Sequence, residues 1–129
     1  TILKFTQKKS PAIILLEGPI GAGKTHLAKL LGEHFGVAED ISSPTFLLAS
    51  AYEITWKNKS ILVHSDLYRL KDLSPDKIIE QLHFGEYFNE DAIIIIEWPE
   101  KISELLKQFH PLTVTISVED NVRNYTIHE

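Results

Sequence analysis

Gly18-Pro19-Ile20-Gly21-Ala22-Gly23-Lys24-Thr25 has the residue types and spacing to hold a triphosphate. It fits glycine, four residues, glycine, lysine, then a hydroxyl residue, the pattern of a phosphate-binding loop. Glycines at 18, 21 and 23 let the backbone turn through positive φ and approach an anion closely. The inward N–H groups, including those of Ile20 and Ala22, then form an anion nest, and the following helix adds its dipole. Lys24 supplies a mobile point charge for the β- and γ-phosphate oxygens. The Thr25 hydroxyl is suited to ligate the Mg²⁺ that bridges those oxygens.

Three further groups carry potential chemistry. Glu97 ends the apolar run Ala92-Ile93-Ile94-Ile95-Ile96, where a carboxylate can hold Mg²⁺ or orient an attacking water. Aspartate is usual on such a strand, so glutamate is a departure. In His64-Ser65-Asp66-Leu67-Tyr68-Arg69, residues two apart on a strand share a face, which predicts that His64, Asp66 and Tyr68 point together. Asp66 could then ligate Mg²⁺ or its water shell, and His64 could steady that carboxylate or a phosphate. Tyr68 reads first as core packing, with a place at the pocket rim beside Arg69 as the other use. A zinc site would need further ligands at set spacing, and none is present. In Ser43-Pro44-Thr45-Phe46, proline holds Ser43 extended, and Thr45 could sense the γ-phosphate as switch loops do.

The elements that must position these residues follow from periodicity. Ile2 to Phe5 is predicted as a short strand, and Ala12 to Leu16 as a strand buried on both faces. Leu27, Leu30, Leu31 and Phe35 fall on one stripe of a helix over Lys24 to Phe35, with Gly36 as its C-cap. Phe46 to Trp56 and Ile61 to Tyr68 read as a hairpin around the turn Lys57 to Ser60. Ser74-Pro75 opens a helix that stops near Gly85, and Pro99 opens another with Ile102, Leu105, Leu106 and Phe109 on one face. Leu112, Val114, Ile116 and Val118 alternate with polar residues as a strand, and Arg123 to His128 closes as the last. The predicted fold class is α/β: a P-loop NTPase-like mixed β-sheet flanked by helices, with residues 1–129 as a single ATPase domain.

Composition narrows the function. The chain has 129 residues, 43% of them apolar, which suits one packed core. The formal net charge of −5 argues against gripping nucleic acid through a basic surface. Arg69 and Arg123 are its only arginines, a poor supply for a kinase that clamps two phosphorylated substrates. No apolar run approaches the roughly 20 residues that span a bilayer. Cysteine is absent, which fits a cytoplasmic protein. Methionine is absent as well, so the N-terminus is read as trimmed. Asn58-Lys59 is followed by Ser60-Ile61, so the guanine-reading Asn-Lys-x-Asp signature is missing.

The phosphate loop, Ser43-Pro44-Thr45-Phe46, His64-x-Asp66-x-Tyr68-Arg69 and Glu97-Trp98-Pro99-Glu100, in this order, resemble the TsaE (YjeE) family of bacterial ATPases of tRNA threonylcarbamoyladenosine biosynthesis. The resemblance runs from about Ile13 to the C-terminal strands. It implies ATP and Mg²⁺ at Gly21, Gly23, Lys24 and Thr25, functional acids at Asp66 and Glu97, a switch threonine at Thr45 and a tryptophan beside the site at Trp98. It also places Arg123 near the nucleotide. The implied partners are the TsaD and TsaB proteins, with tRNA met only through their complex, and hydrolysis that is weak alone and stronger with them. Pro19-Ile20 departs from the family's acidic-apolar pair, and His26 stands where a hydroxyl residue is common. A small nucleotide or metabolite kinase and a non-hydrolysing ATP-binding adaptor are the alternatives.

Overall fold

A computed structural model describes residues 1–39, 41, 49–70, 72–82, 86, 88 and 91–129. Six strands form one sheet in the order β2-β3-β4-β1-β5-β6. They are β1 (Ala12–Glu17), β2 (Ala49–Trp56), β3 (Lys59–Asp66), β4 (Ala92–Glu97), β5 (Leu112–Glu119) and β6 (Val122–His128). The inner four run parallel, and β2 and β6 are antiparallel edges. The mixed α/β sheet expected from the alternating periodicities is therefore present.

Strands β1 and β4 occupy the middle, and every residue from Ala12 to Leu16 and from Ala92 to Glu97 is buried. Such strands need apolar side chains on both faces, which accounts for the unbroken Ile and Leu runs. Even-numbered Ile14 and Leu16 join Leu62, Ile93 and Ile95 under helix α2 (Lys24–Phe35). Ile13, Leu15, Ile94 and Ile96 face the other way, toward α3 (Pro75–Gln81) and α4 (Ser103–Leu106). The helices that follow β1 and β4 thus lie on opposite faces of the sheet. A crevice opens beyond the carboxyl ends of two such neighbouring strands, and this is where α/β folds bind ligands.

Several local expectations are corrected. Ile2 to Phe5 is not a strand; Ile2–Lys8 forms helix α1, because Ile2 and Phe5 sit three apart and Phe5 packs into the core under the α2 face. The hairpin turn is tighter than four residues: Lys59 already pairs with Trp56, and Lys57 absorbs the bend with φ of 53°. The strand after it stops at Asp66, and Tyr68–Leu70 is a 3₁₀ turn. Pro99 opens a turn rather than a helix, and α4 spans only Ser103–Leu106 before a second 3₁₀ turn, Lys107–Phe109. Ile102 and Leu106 bury there, whereas Leu105 and Phe109 stay exposed, as do Leu30 on α2 and Val118 on β5. Residues 46–48 and 83–85, where a strand start and a helix end were expected, lie outside the described residues.

Other signals hold. The Ser74 hydroxyl accepts from the Lys77 amide at 3.3 Å as an N-cap, and Gly36 ends α2 with φ of 97°. Asp120 and Asn121, both at positive φ, make the two-residue turn of the β5–β6 hairpin.

The end of the sheet opposite the crevice is closed by Lys59. Its side chain is buried, and Nζ donates to Ser10 Oγ at 3.2 Å and Asn58 Oδ1 at 3.1 Å. Burial pushes its pKa below the usual lysine value, and the Asp91 carboxylate opposes that shift. A lowered folded pKa means that the unfolded chain holds the proton to higher pH, so stability climbs as pH rises through the folded value toward 10.5. Urea unfolding of the parent and Lys59→Met between about pH 8 and 11 is expected to show the parent gaining stability relative to the variant as pH rises. A difference that stays flat would contradict the buried ammonium.

Candidate functional site

The phosphate-loop motif lies between β1 and α2, as its flanking periodicities require. Gly18 has φ of 153°, and a Cβ there would lie 2.6 Å from the Ile116 carbonyl oxygen of β5. Only glycine lets the loop leave β1 this close to the neighbouring backbone. Gly23 has φ of 100° and starts α2, and a Cβ on it would lie 3.2 Å from Cζ of Arg123.

Lys24 follows at the first turn and is buried. Its Nζ donates to the carbonyls of Gly18 at 2.6 Å and Pro19 at 2.9 Å, and lies 4.0 Å from the centre of the Trp98 ring. Burial pushes its pKa below the ordinary lysine value, and Glu97, Glu100 and Asp66 oppose the shift. Trp98 adopts φ of 59°, a left-handed conformation that costs a bulky residue about 1–3 kcal/mol. This conformation turns the chain out of β4 and sets the indole against the ammonium, with the Tyr68 ring centre 4.9 Å from it.

Strand register brings the acids to the same place. Asp66 pairs with Glu97 across β3 and β4, and His64 lies two residues earlier on β3. Glu97 is 2% exposed, so it is no surface carboxylate. Thr25 Oγ1 donates to it, 2.8 Å from Oε1 and 3.1 Å from Oε2. His64 Nε2 lies 2.5 Å from Oε2. Asp66 is half-buried, and its Oδ1 accepts from the Tyr68 amide at 3.0 Å.

A cavity of about 490 Å³ opens over this cluster. Its lining includes Ile20, Gly21, Gly23, Lys24, Thr25, Asp66, Glu97 and Trp98, all singled out in the sequence, together with His26, Tyr68 and Arg69. The volume lies within the range of small-molecule sites. Ala22 and Arg123 are not in the lining; Ala22 is buried beneath the loop, and Arg123 flanks Gly23 from β6. Thr45 lies outside the described residues.

Two expectations change. Tyr68 is exposed at the rim, not packed in the core, because the 3₁₀ turn carries it away from β3. His64 reaches Glu97 rather than Asp66, since the Asp66 side chain folds onto its own turn. Glu100, which closes the motif Glu97-Trp98-Pro99-Glu100 and had been given no role of its own, contributes to the field at Lys24.

Residues 2–126 match the family described as "Threonylcarbamoyl adenosine biosynthesis protein TsaE". The chain belongs to the TsaE family. The TsaE protein of Haemophilus influenzae is 37% identical over 123 residues, 95% of this chain and 73% of that one. That of Rickettsia prowazekii is 42% identical over 120 residues, 91% and 77% of the two chains. That of Mycobacterium tuberculosis is 37% identical over 100 residues, and the match covers 76% of this chain and 60% of the relative. The present sequence thus matches only about 60% of the length of the mycobacterial TsaE proteins. The crystal structure of Bacillus subtilis YdiB superposes with a TM-score of 0.65 at 29% identity, covering 98% of this chain and 74% of YdiB. The TsaE-type α/β fold is therefore shared with a solved structure.

The approach of Gly18 to β5 gives a direct test of the loop. Gly18→Ala must adopt φ of 153° and clear a carbonyl at 2.6 Å. It is expected to lose about 1–3 kcal/mol, read as a lower Tm on thermal unfolding. An unchanged Tm would mean that the loop does not run against β5.

Proposed function

We propose that this protein binds Mg·ATP in the cavity beyond β1 and β4 and hydrolyses it in support of threonylcarbamoyladenosine formation on tRNA beside the anticodon, acting on the TsaD–TsaB complex in the cytoplasm. The observation that carries the reading is the contact of Thr25 with the buried Glu97 carboxylate. It joins the phosphate-loop helix to the end of β4, at the point where a nucleotide's terminal phosphates would lie. Family membership supports the pathway, and the net charge of −5 supports partners that are proteins rather than bare tRNA.

The donor set fits magnesium. Thr25, Glu97 and Asp66 offer hard oxygen atoms, and such oxygens suit Mg²⁺ rather than a soft metal. Among the described residues no group of three or more His, Cys, Asp or Glu is arranged to hold a metal alone. Mg²⁺ is commonly held by one or two carboxylates plus substrate phosphates. Thr25 and Glu97 would hold the ion, with Asp66 beside them. Bound there, Mg²⁺ would neutralise charge developing on the phosphate oxygens.

The chain's own groups do the rest. Backbone N–H groups of Ile20, Gly21, Ala22 and Gly23 cradle the phosphates. Lys24 exchanges the Gly18 and Pro19 carbonyls for phosphate oxygens, and its position over Trp98 limits where its charge can travel. Glu97 and Asp66 orient the water that attacks the γ-phosphorus as its bond to the β–γ bridging oxygen breaks, leaving ADP and phosphate. Thr45 senses the γ-phosphate, Trp98 flanks the nucleotide, and Arg123, against Gly23, reaches it from β6.

Phosphate release measured with and without TsaD–TsaB tests the reading. Turnover is expected to be low alone and to rise with the partners, and Glu97→Gln is expected to lower it about 10²–10⁴-fold. Equal rates in both conditions would contradict partner dependence. Phosphate transferred to an acceptor would favour a kinase. Full partner function without turnover in Glu97→Gln would favour an adaptor.

A further inference from the structure

We propose that His64 is the positioning residue for Glu97, fixing one carboxylate oxygen by donating its Nε2 hydrogen so that the acid is pre-set for the metal. This deepens the magnesium·ATP reading above and rests on it.

His64 is 0% exposed and Glu97 2% exposed. A carboxylate withdrawn from water needs donors for its lone pairs, and an unsatisfied one is strongly disfavoured. Thr25 reaches both oxygens but favours Oε1, and His64 Nε2 lies 2.5 Å from Oε2. An ionised carboxylate only accepts, so the hydrogen in this contact is carried by Nε2. Among the described residues the other ring nitrogen, Nδ1, is buried and meets no hydrogen-bond partner. Among them the ring is held through Nε2.

Strand geometry makes the hold rigid. His64 sits opposite Ile95 in the parallel β3–β4 pair, and its ring reaches diagonally to Glu97 one alternation further on. Leu62, Ile93 and Ile95 pack on the same face of the sheet as the ring. Glutamate has a longer arm than the aspartate usual at such a strand end, and so more rotamers to lose. A buried donor removes that freedom before any ligand arrives, the role that outer partners of metal ligands commonly fill.

A merely space-filling histidine and a positioning one differ in what they do to the metal. His64→Leu keeps an apolar side chain of similar bulk but offers no donor, whereas His64→Gln keeps an N–H near the Nε2 position. Mn²⁺ titrated into protein with ADP, followed by electron paramagnetic resonance, reads the metal directly, and the Mg²⁺ dependence of phosphate release reads it in turnover. His64→Leu is expected to weaken Mn·ADP binding and raise the half-saturating Mg²⁺ about 10–100-fold. His64→Gln is expected to recover most of that loss. A His64→Leu protein with the parent's metal dependence overturns the proposal, as does equal loss in both variants.

Long-range ¹H–¹⁵N spectra of the parent supply a readout that needs no variant to fold. The His64 ring is expected to carry its hydrogen on Nε2, and a ring protonated only on Nδ1 overturns the hold. A parent that binds no Mn·ADP overturns the magnesium·ATP reading itself, whatever the ring's tautomer.

Discussion

A carboxylate sunk at the end of a hydrophobic strand is the constraint on which this structure turns. Glu97 follows four isoleucines with no exposed residue between them, and it stays buried itself. A charge so placed persists only where donors meet it. Thr25 arrives from the first turn of α2 and His64 from β3, so three elements distant in sequence are pinned to one side chain. The packing of α2 on the sheet, with Ala28, Leu31 and Phe35 in the core, brings Thr25 into reach. The parallel register of β3 with β4 does the same for His64.

The same junction explains the loop. Because β1 and β4 are neighbours whose following helices lie on opposite faces, the chain leaving β1 has open space above the sheet. Gly18 clears the β5 backbone, and the loop carbonyls turn back to hold the Lys24 ammonium. Trp98, in a backbone conformation few bulky residues accept, lies against the ammonium. Strain of this kind is retained where surrounding structure over-determines it, and here the buried end of β4 precedes Trp98 while Lys24 and Tyr68 meet its ring.

Much of this was legible in the sequence because the signals were local or strongly periodic. The loop motif, the two unbroken apolar strands, the Ser74 cap and the Gly36 stop each name a conformation without reference to the rest of the chain. The cavity gathers Lys24, Thr25, Asp66, Glu97 and Trp98 as expected, since carboxyl ends of parallel strands meet at one edge. What stayed hidden depends on tertiary choice. Ile2 to Phe5 is too short for its period to separate strand from helix, and packing under the sheet decided for helix. Tyr68 was misjudged because strand alternation was carried two residues past the point where Asp66 caps the next turn. That His64 serves Glu97 rather than Asp66 depends on the pairing of β3 with β4, a register no local pattern encodes. Arg123 beside Gly23 had been expected near the nucleotide from the family resemblance, not from any local pattern.

The central claim is that this junction grasps a triphosphate through the loop amides and the Lys24 ammonium. Isothermal calorimetry of Mg·ATP against the parent and against Lys24→Ala addresses it most directly. The account requires a heat of association in the parent and binding at least about tenfold weaker in the variant, since a charge-assisted contact to phosphate is lost. No binding by the parent, or equal affinity in the two proteins, would contradict it.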